Sequence, residues 1–294
     1  MISRRSFLLS GFAAASSGSC KLLARSSQSL SGLSESLVQL EKDCNGRLGV
    51  AALDIVSGET SNHRGNERFA MCSTFKMLLA SAVLQRVDVG TETLGRMIPI
   101  PANGTLPSSP ITQNHTGGKI TVGALCAAIV TRSDNTAANL LLDTVGGPNG
   151  ITRFARSLGD MVTQLDRVEM ALNEALPGDP RDTTSPLAMD ANWHKLLLGD
   201  ELSPSSRKQL TEWLIANRTG DERLRAGLTS GWIVGDKTGS NGENTTNDVA
   251  IVWPANKKPL LIAAYLTACR GPETKRNAVL ASVGRLVAKS IQSA

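Results

Sequence analysis

Aromatic residues are scarce in this chain, at 3% of 294 residues. Lys and Arg are in excess, giving a net charge of +5, but they are scattered without a basic run. With neither stacking rings nor a basic stripe, nucleic-acid binding is not expected. Histidine is as sparse: His63, His115 and His194 share no ligand spacing. The five cysteines, Cys20, Cys44, Cys72, Cys126 and Cys269, are likewise too far apart in sequence for a zinc or redox motif. No metal and no cofactor is therefore expected. The apolar run at 8–15 falls well short of the roughly 20 residues that cross a bilayer, and no other segment comes near that length. What is present is 41% hydrophobic and 19% charged, enough for one large core or two interlocked subdomains.

The short apolar run carries a different meaning. Arg4-Arg5 precede it, Phe7-Leu8-Leu9 open it and small residues follow through Ser19. That layout predicts an export signal over 1–27, similar to the twin-arginine type. Cys20, after Ser17-Gly18-Ser19, is a candidate lipid anchor, although the usual upstream Leu is missing. Cys72 and Cys126 sit in apolar contexts and read as buried thiols. Cys44 and Cys269 flank strand-like segments at opposite ends of the chain, so an antiparallel pairing would make a bridge geometrically feasible.

Apolar spacing predicts helices over 29–40, 74–89, 122–131, 136–145, 150–158, 189–198, 203–216 and 273–291. Strands are expected over 48–55, 232–238, 248–253 and 260–268. Residues 165–184 lack periodicity and carry many charges, the mark of a functional or flexible loop. The order is helix and strands, many helices, then strands and helix. It implies an α/β (α+β) fold whose sheet is built from both ends of the chain, with an all-helical domain inserted between.

Three short motifs carry chemistry. In Ser73-Thr74-Phe75-Lys76, a spacing of three at a helix start puts Ser73 and Lys76 on one face. A serine needs a neighbouring base to become a nucleophile, and a buried lysine of lowered pKa can serve. The same residues also suit a plain helix start with a solvated lysine, and Ser205-Ser206-Arg207-Lys208 is of that kind. Ser133-Asp134-Asn135 separates two helices; Ser or Asp there caps the second, or Ser133 relays a proton while Asn135 binds a substrate amide. Lys237-Thr238-Gly239 ends a strand, either as a turn or as a grip on a substrate carboxylate. Each triplet arises by chance on the order of 0.05 times per chain of this size, so the ordered set is specific.

Together these motifs resemble those of the class A serine β-lactamases, and the resemblance extends over residues 34–291. It includes Met71-Cys72-Ser73-Thr74-Phe75-Lys76, Ser133-Asp134-Asn135-Thr136-Ala137-Ala138-Asn139 and Asp236-Lys237-Thr238-Gly239-Ser240. Leu165-Asp166-Arg167-Val168-Glu169-Met170-Ala171-Leu172-Asn173 is similar to the family's Ω-loop, expected here over 165–182 and closed by an Arg167–Asp182 ion pair. The resemblance implies a two-subdomain fold like that of serine β-lactamases and penicillin-binding proteins. Its antiparallel sheet of about five strands is flanked by helices. Residues 28–66 and 217–294 form the α/β part, and 67–216 the inserted all-α part.

The activity implied is hydrolysis of penicillins and cephalosporins through an acyl-enzyme on Ser73, conferring antibiotic resistance. Lys76, or Glu169 through a water, takes the serine proton; which one acts first stays open. Ser133 protonates the departing nitrogen, Lys237 holds the substrate carboxylate, and Glu169 with Asn173 positions a catalytic water. Asn135, Thr238, Gly239 and Ser240 line the substrate site, and the N–H groups of Ser73 and Ser240 form the oxyanion hole. Many family members carry a carboxylate-binding arginine where this chain has Thr246; Arg223 is the expected substitute, with Arg276 second. Ser108 stands where relatives place a pocket aromatic, and Asn241 stands where some carbapenem-hydrolysing members place a cysteine that bridges to the one before the nucleophile. A monomer exported to the bacterial periplasm, or tethered there as a lipoprotein, is expected, with small β-lactams as partners. The competing readings are a penicillin-binding D-alanyl-D-alanine peptidase and a β-lactam sensor domain. The peptidase would lack the Glu169 function, and the sensor would need membrane spans.

Overall fold

The computed structural model describes residues 30–255 and 257–292. The export signal expected over 1–27 and Cys20 lie outside them. In chain order the elements are α1 (Ser34–Cys44), β1 (Arg47–Asp54), β2 (Thr60–His63), β3 (Phe69–Ala70), α2 (Phe75–Asp88), β4 (Met97–Pro99), β5 (Lys119–Thr121), α3 (Val122–Thr131), α4 (Asn135–Val145) and α5 (Gly147–Ser157). They continue with β6 (Thr183–Thr184), α6 (Pro186–Leu198), α7 (Pro204–Ile215), α8 (Leu224–Gly227), β7 (Ile233–Ser240), β8 (Thr246–Trp253), β9 (Leu260–Thr267) and α9 (Glu273–Gln292).

Helix starts follow local chemistry. Side chains of Thr121, Asp134, Ser185 and Ser203 accept from the backbone N–H three residues on, capping α3, α4, α6 and α7. Proline in the first turn helps to start α5, α6 and α7. This is why α5 and α6 begin earlier than apolar spacing alone predicts. α1 runs on to Cys44, where Asn45 adopts a left-handed conformation and closes it.

The main sheet has the order β2-β1-β9-β8-β7, antiparallel throughout. Its central strands are buried on both faces, so they read as continuous apolar runs. On β9, Leu261, Ala263 and Tyr265 face the cluster built around α2, while Leu260, Ile262, Ala264 and Leu266 face α1 and α9. α2 is buried along ten consecutive residues, Phe75 to Leu84, and forms the axis of the helical layer. Two small ribbons escape the sequence pattern, β3 with β6 and β4 with β5. At two or three residues a strand is too short to show alternation.

The cysteines meet as the strand pairing implies, without a bond. Arg47 is in register with Thr267, and the Cys269 thiol donates to the Cys44 carbonyl oxygen at 3.5 Å. Cys44, Cys72, Cys126 and Cys269 are all buried free thiols. Among the described residues no helix is long and apolar enough to cross a membrane.

Candidate active site

Ser73 does not open the long helix. It sits in a 3-10 turn, Cys72–Thr74, just before α2, and Cys72 holds a left-handed φ of 45°. Neighbours fix this turn from two sides. The Thr74 hydroxyl donates to Met71 O at 2.9 Å, and Asn247 Nδ2 on β8 donates to Ala70 O at 2.9 Å and Met71 O at 3.1 Å. β7 lies against it at Gly239, where a Cβ would fall 2.6 Å from Met71 O and 3.2 Å from Ser73 N. Only glycine allows that approach.

Lys76, one residue into α2, is wholly buried. Its Nζ donates to Ser133 O at 2.8 Å and to Asn135 Oδ1 at 2.7 Å, and reaches Ser133 Oγ at 3.4 Å. It also pairs with Glu169 Oε1 at 2.9 Å, both side chains fully enclosed. Burial drives the Lys76 pKa below the usual lysine value, against the pull of the Glu169 charge. Ser73 Oγ stands 3.5 Å from the same Glu169 Oε1. Asn173 Nδ2 donates to Glu169 Oε2 at 2.7 Å, so the expected loop pair is brought together.

The loop at 165–182 is closed by the expected ion pair, Arg167 Nε to Asp182 Oδ2 at 2.5 Å. Asp182 Oδ1 also accepts the N–H groups of Asp166 and Arg167, at 2.8 and 2.9 Å. Sequence reading missed a second clamp. Asn139 on α4 donates Nδ2 to Glu169 O at 2.8 Å and accepts Glu169 N–H on Oδ1 at 2.9 Å. The peptide between Glu169 and Met170 is cis. Nothing in the residue pattern marks Asn139 apart from its other helix neighbours, because its partner lies 30 positions away.

At Ser133-Asp134-Asn135 the capping and site readings both hold, on different residues. Asp134 caps α4 through Ala137 N–H at 2.9 Å, and its carboxylate also takes the N–H groups of Ile111 and Thr112 at 2.9 Å each. That leaves Ser133 in a left-handed bend, φ 58°, with its hydroxyl turned to both lysines. Lys237 Nζ donates to Ser133 Oγ at 3.2 Å and Thr238 O at 2.9 Å. Lys237-Thr238-Gly239 lies inside β7 rather than at its end, since β8 pairs with it as far as Ser240 opposite Thr246. Burial, with the Lys76 charge nearby, lowers the Lys237 pKa to about 7.

A cleft of about 580 Å³ opens over these groups, lined by Ser73, Ser133, Asn135, Asn173, Thr238, Gly239, Ser240 and Arg223 among others. Arg223 donates Nη1 to Gly239 O at 3.0 Å and Asn247 O at 2.8 Å, and Nε to Asn277 Oδ1 at 3.1 Å. Arg276 is instead spent on structure: it donates to Thr246 Oγ1 at 3.0 Å and Gly271 O at 2.6 Å and does not line the cleft. Ser108 lines the cleft in a left-handed conformation, φ 58°. Burial pushes the Cys72 thiol up to about 12, so it stays protonated beside the site.

Comparison with known proteins agrees with this arrangement. Residues 32–291 match the β-lactamase enzyme family. The chain is 45% identical to β-lactamase L2 of Stenotrophomonas maltophilia over 302 aligned positions, covering 99% of this chain and 100% of the relative. It is 44% identical to β-lactamase CTX-M-8 of Citrobacter amalonaticus, over 86% of this chain and 87% of that one. Among solved structures, the class A β-lactamase of the last common ancestor of Gram-negative bacteria superposes with a TM-score of 0.86. It shares 57% identity over 88% of this chain and 99% of its own. A β-lactamase from Xanthomonas campestris gives a TM-score of 0.87 at 48% identity, over 90% and 99% of the two chains. The chain belongs to the class A β-lactamase family.

Proposed function

We propose that this enzyme hydrolyses the β-lactam ring of penicillins and cephalosporins through an ester on Ser73, and so confers resistance to them. The observation that carries the mechanism is the enclosed Ser73, Lys76 and Glu169 cluster, with Glu169 Oε1 3.5 Å from the serine oxygen and 2.9 Å from the lysine nitrogen.

Ser73 Oγ attacks the lactam carbonyl carbon, and its proton passes to the Lys76–Glu169 pair, between whose members a proton moves directly. The N–H groups of Ser73 and Ser240 receive the oxyanion; losing one such donor typically costs about 2.7–4 kcal/mol. As the C–N bond breaks, Ser133 gives its proton to the nitrogen and is resupplied by Lys76 or Lys237, within 3.4 and 3.2 Å. Lys237, Thr238 and Arg223 hold the substrate carboxylate, Gly239 gives room at the β7 edge, and Asn135 takes the side-chain amide. Glu169, oriented by Asn173, then draws a proton from water, which attacks the ester and frees Ser73.

Glu169→Ala tests this. The variant should acylate and then stall, leaving a stable penicilloyl adduct on Ser73 in the intact-protein mass spectrum. Its turnover should fall by about 10²–10⁴-fold. Free enzyme at the end of the incubation would remove the role given to Glu169. A single burst of nitrocefin hydrolysis by the wild type, with no turnover after it, would favour the peptidase reading.

The division into residues 28–66 with 217–294 and an inserted 67–216 is supported by α2 to α7 falling inside the insert. Arg4-Arg5 and the apolar run after it support export to the periplasm. Cys20 is the residue a lipid anchor would use, and the catalytic unit is read as a monomer.

A further inference from the structure

The Arg223 guanidinium has little left to offer a ligand. Nε and Nη1 are committed to Asn277, Gly239 O and Asn247 O, all inside the protein. That leaves Nη2, and it already has a partner, Glu273 Oε1 at 3.2 Å. The two side chains differ sharply in exposure, 6% for Arg223 and 56% for Glu273. Glu273 opens α9, where the helix dipole favours a negative charge. Among the described residues lining the cleft it is the one acidic side chain, in a cleft that Arg132 and Arg223 also line.

We propose that Glu273 acts as a charge filter at the mouth of the cleft, favouring zwitterionic β-lactams that carry a cation beside the ring carboxylate over those that carry a second anion there. The inference rests on Arg223 receiving that carboxylate. A carboxylate arriving at Nη2 must displace Glu273 or share the nitrogen with it. In a cephalosporin the C3 substituent is bonded next to the carbon bearing the carboxylate, so it lands beside the displaced Glu273. A pyridinium or ammonium there meets an opposite charge. A carboxylate there meets a like charge. Because Glu273 is half exposed, the effect is that of a surface pair, roughly two- to fivefold, and it is screened by salt.

The test compares purified enzyme with Glu273→Gln on three cephalosporins sharing one C7 side chain, with cationic, neutral and anionic C3 substituents. In the wild type the ratio of kcat/KM for the cationic to the anionic substrate should exceed that in the variant by about two- to fivefold, mainly through KM. Raising salt to 0.5 M should shrink the wild-type ratio toward that of the variant. An unchanged ratio overturns the proposal. So does an equal fall in kcat/KM for all three substrates, which would make Glu273 a support for Arg223 instead. Arg223→Ala separates this from the underlying reading. If it leaves KM unaltered for all three, Arg223 does not bind the carboxylate; if it raises KM while Glu273→Gln leaves the ratio alone, only the filter fails.

Discussion

Lys76 and Lys237 are both fully buried lysines turned to one serine hydroxyl, and their environments set different tasks. Lys76 touches a carboxylate at 2.9 Å, so a proton placed there has somewhere to go. Among the described residues Lys237 has no carboxylate contact of that kind, and burial brings its pKa to about 7. Its charged form, needed for the substrate anion, is therefore lost as pH rises through that value in the free enzyme. An arginine keeps its charge at any such pH. In Lys237→Arg the alkaline limb of the kcat/KM profile should move upward; a limb that stays in place would show that another group sets it. The same lowered pKa bears on stability. The unfolded chain holds the proton and the folded one does not between about 7 and the ordinary lysine value of 10.5, so this group's contribution to stability rises with pH across that window.

Elements set distances that side chains alone cannot. The β7 backbone reaches the Ser73 turn only because position 239 lacks a side chain. Gly239→Ala would press a Cβ against a backbone oxygen at 2.6 Å, so the strand or the turn must shift. A displacement near 1 Å costs about 10²-fold in rate, and kcat/KM should fall by that order while far-UV circular dichroism stays unchanged. The loop at 165–182 depends on one carboxylate in a comparable way. Asp182, 1% exposed, holds Arg167 and two backbone N–H groups. Asp182→Ala removes one partner of a largely buried pair and should cost roughly 3–5 kcal/mol in denaturant unfolding. A loss under about 1 kcal/mol would mean that the Asn139 clamp on Glu169 holds the loop without it.

In the whole molecule the sheet divides two cores, and the site belongs to one of them. Leu37, buried on α1 in the core under α9, lies on the opposite side of the sheet from Ser73. Leu37→Ala should lower stability by about 2–5 kcal/mol and leave kcat/KM of the folded enzyme as it was, measured below the new melting transition. A parallel loss of activity would show that the two faces are coupled through β9. The cleft itself draws on the turn at Ser73, the loop before α4, the loop at 165–182, β7 and the start of α9, segments up to 200 positions apart between Ser73 and Glu273. No stretch of chain contains it.

Residue order by itself decided the fold class, the long helices and the core strands, since apolar periodicity is a local property that burial then uses. It also named the side chains that gather, Ser73, Lys76, Ser133, Glu169 and Lys237, through the resemblance of their motifs to those of the class A β-lactamases. Tertiary structure alone decided the 3-10 turn under Ser73, the Asn139 clamp and the pairing of Arg223 with Glu273. Each of these depends on a partner distant in sequence, and a local pattern carries no information about which distant group will arrive beside it.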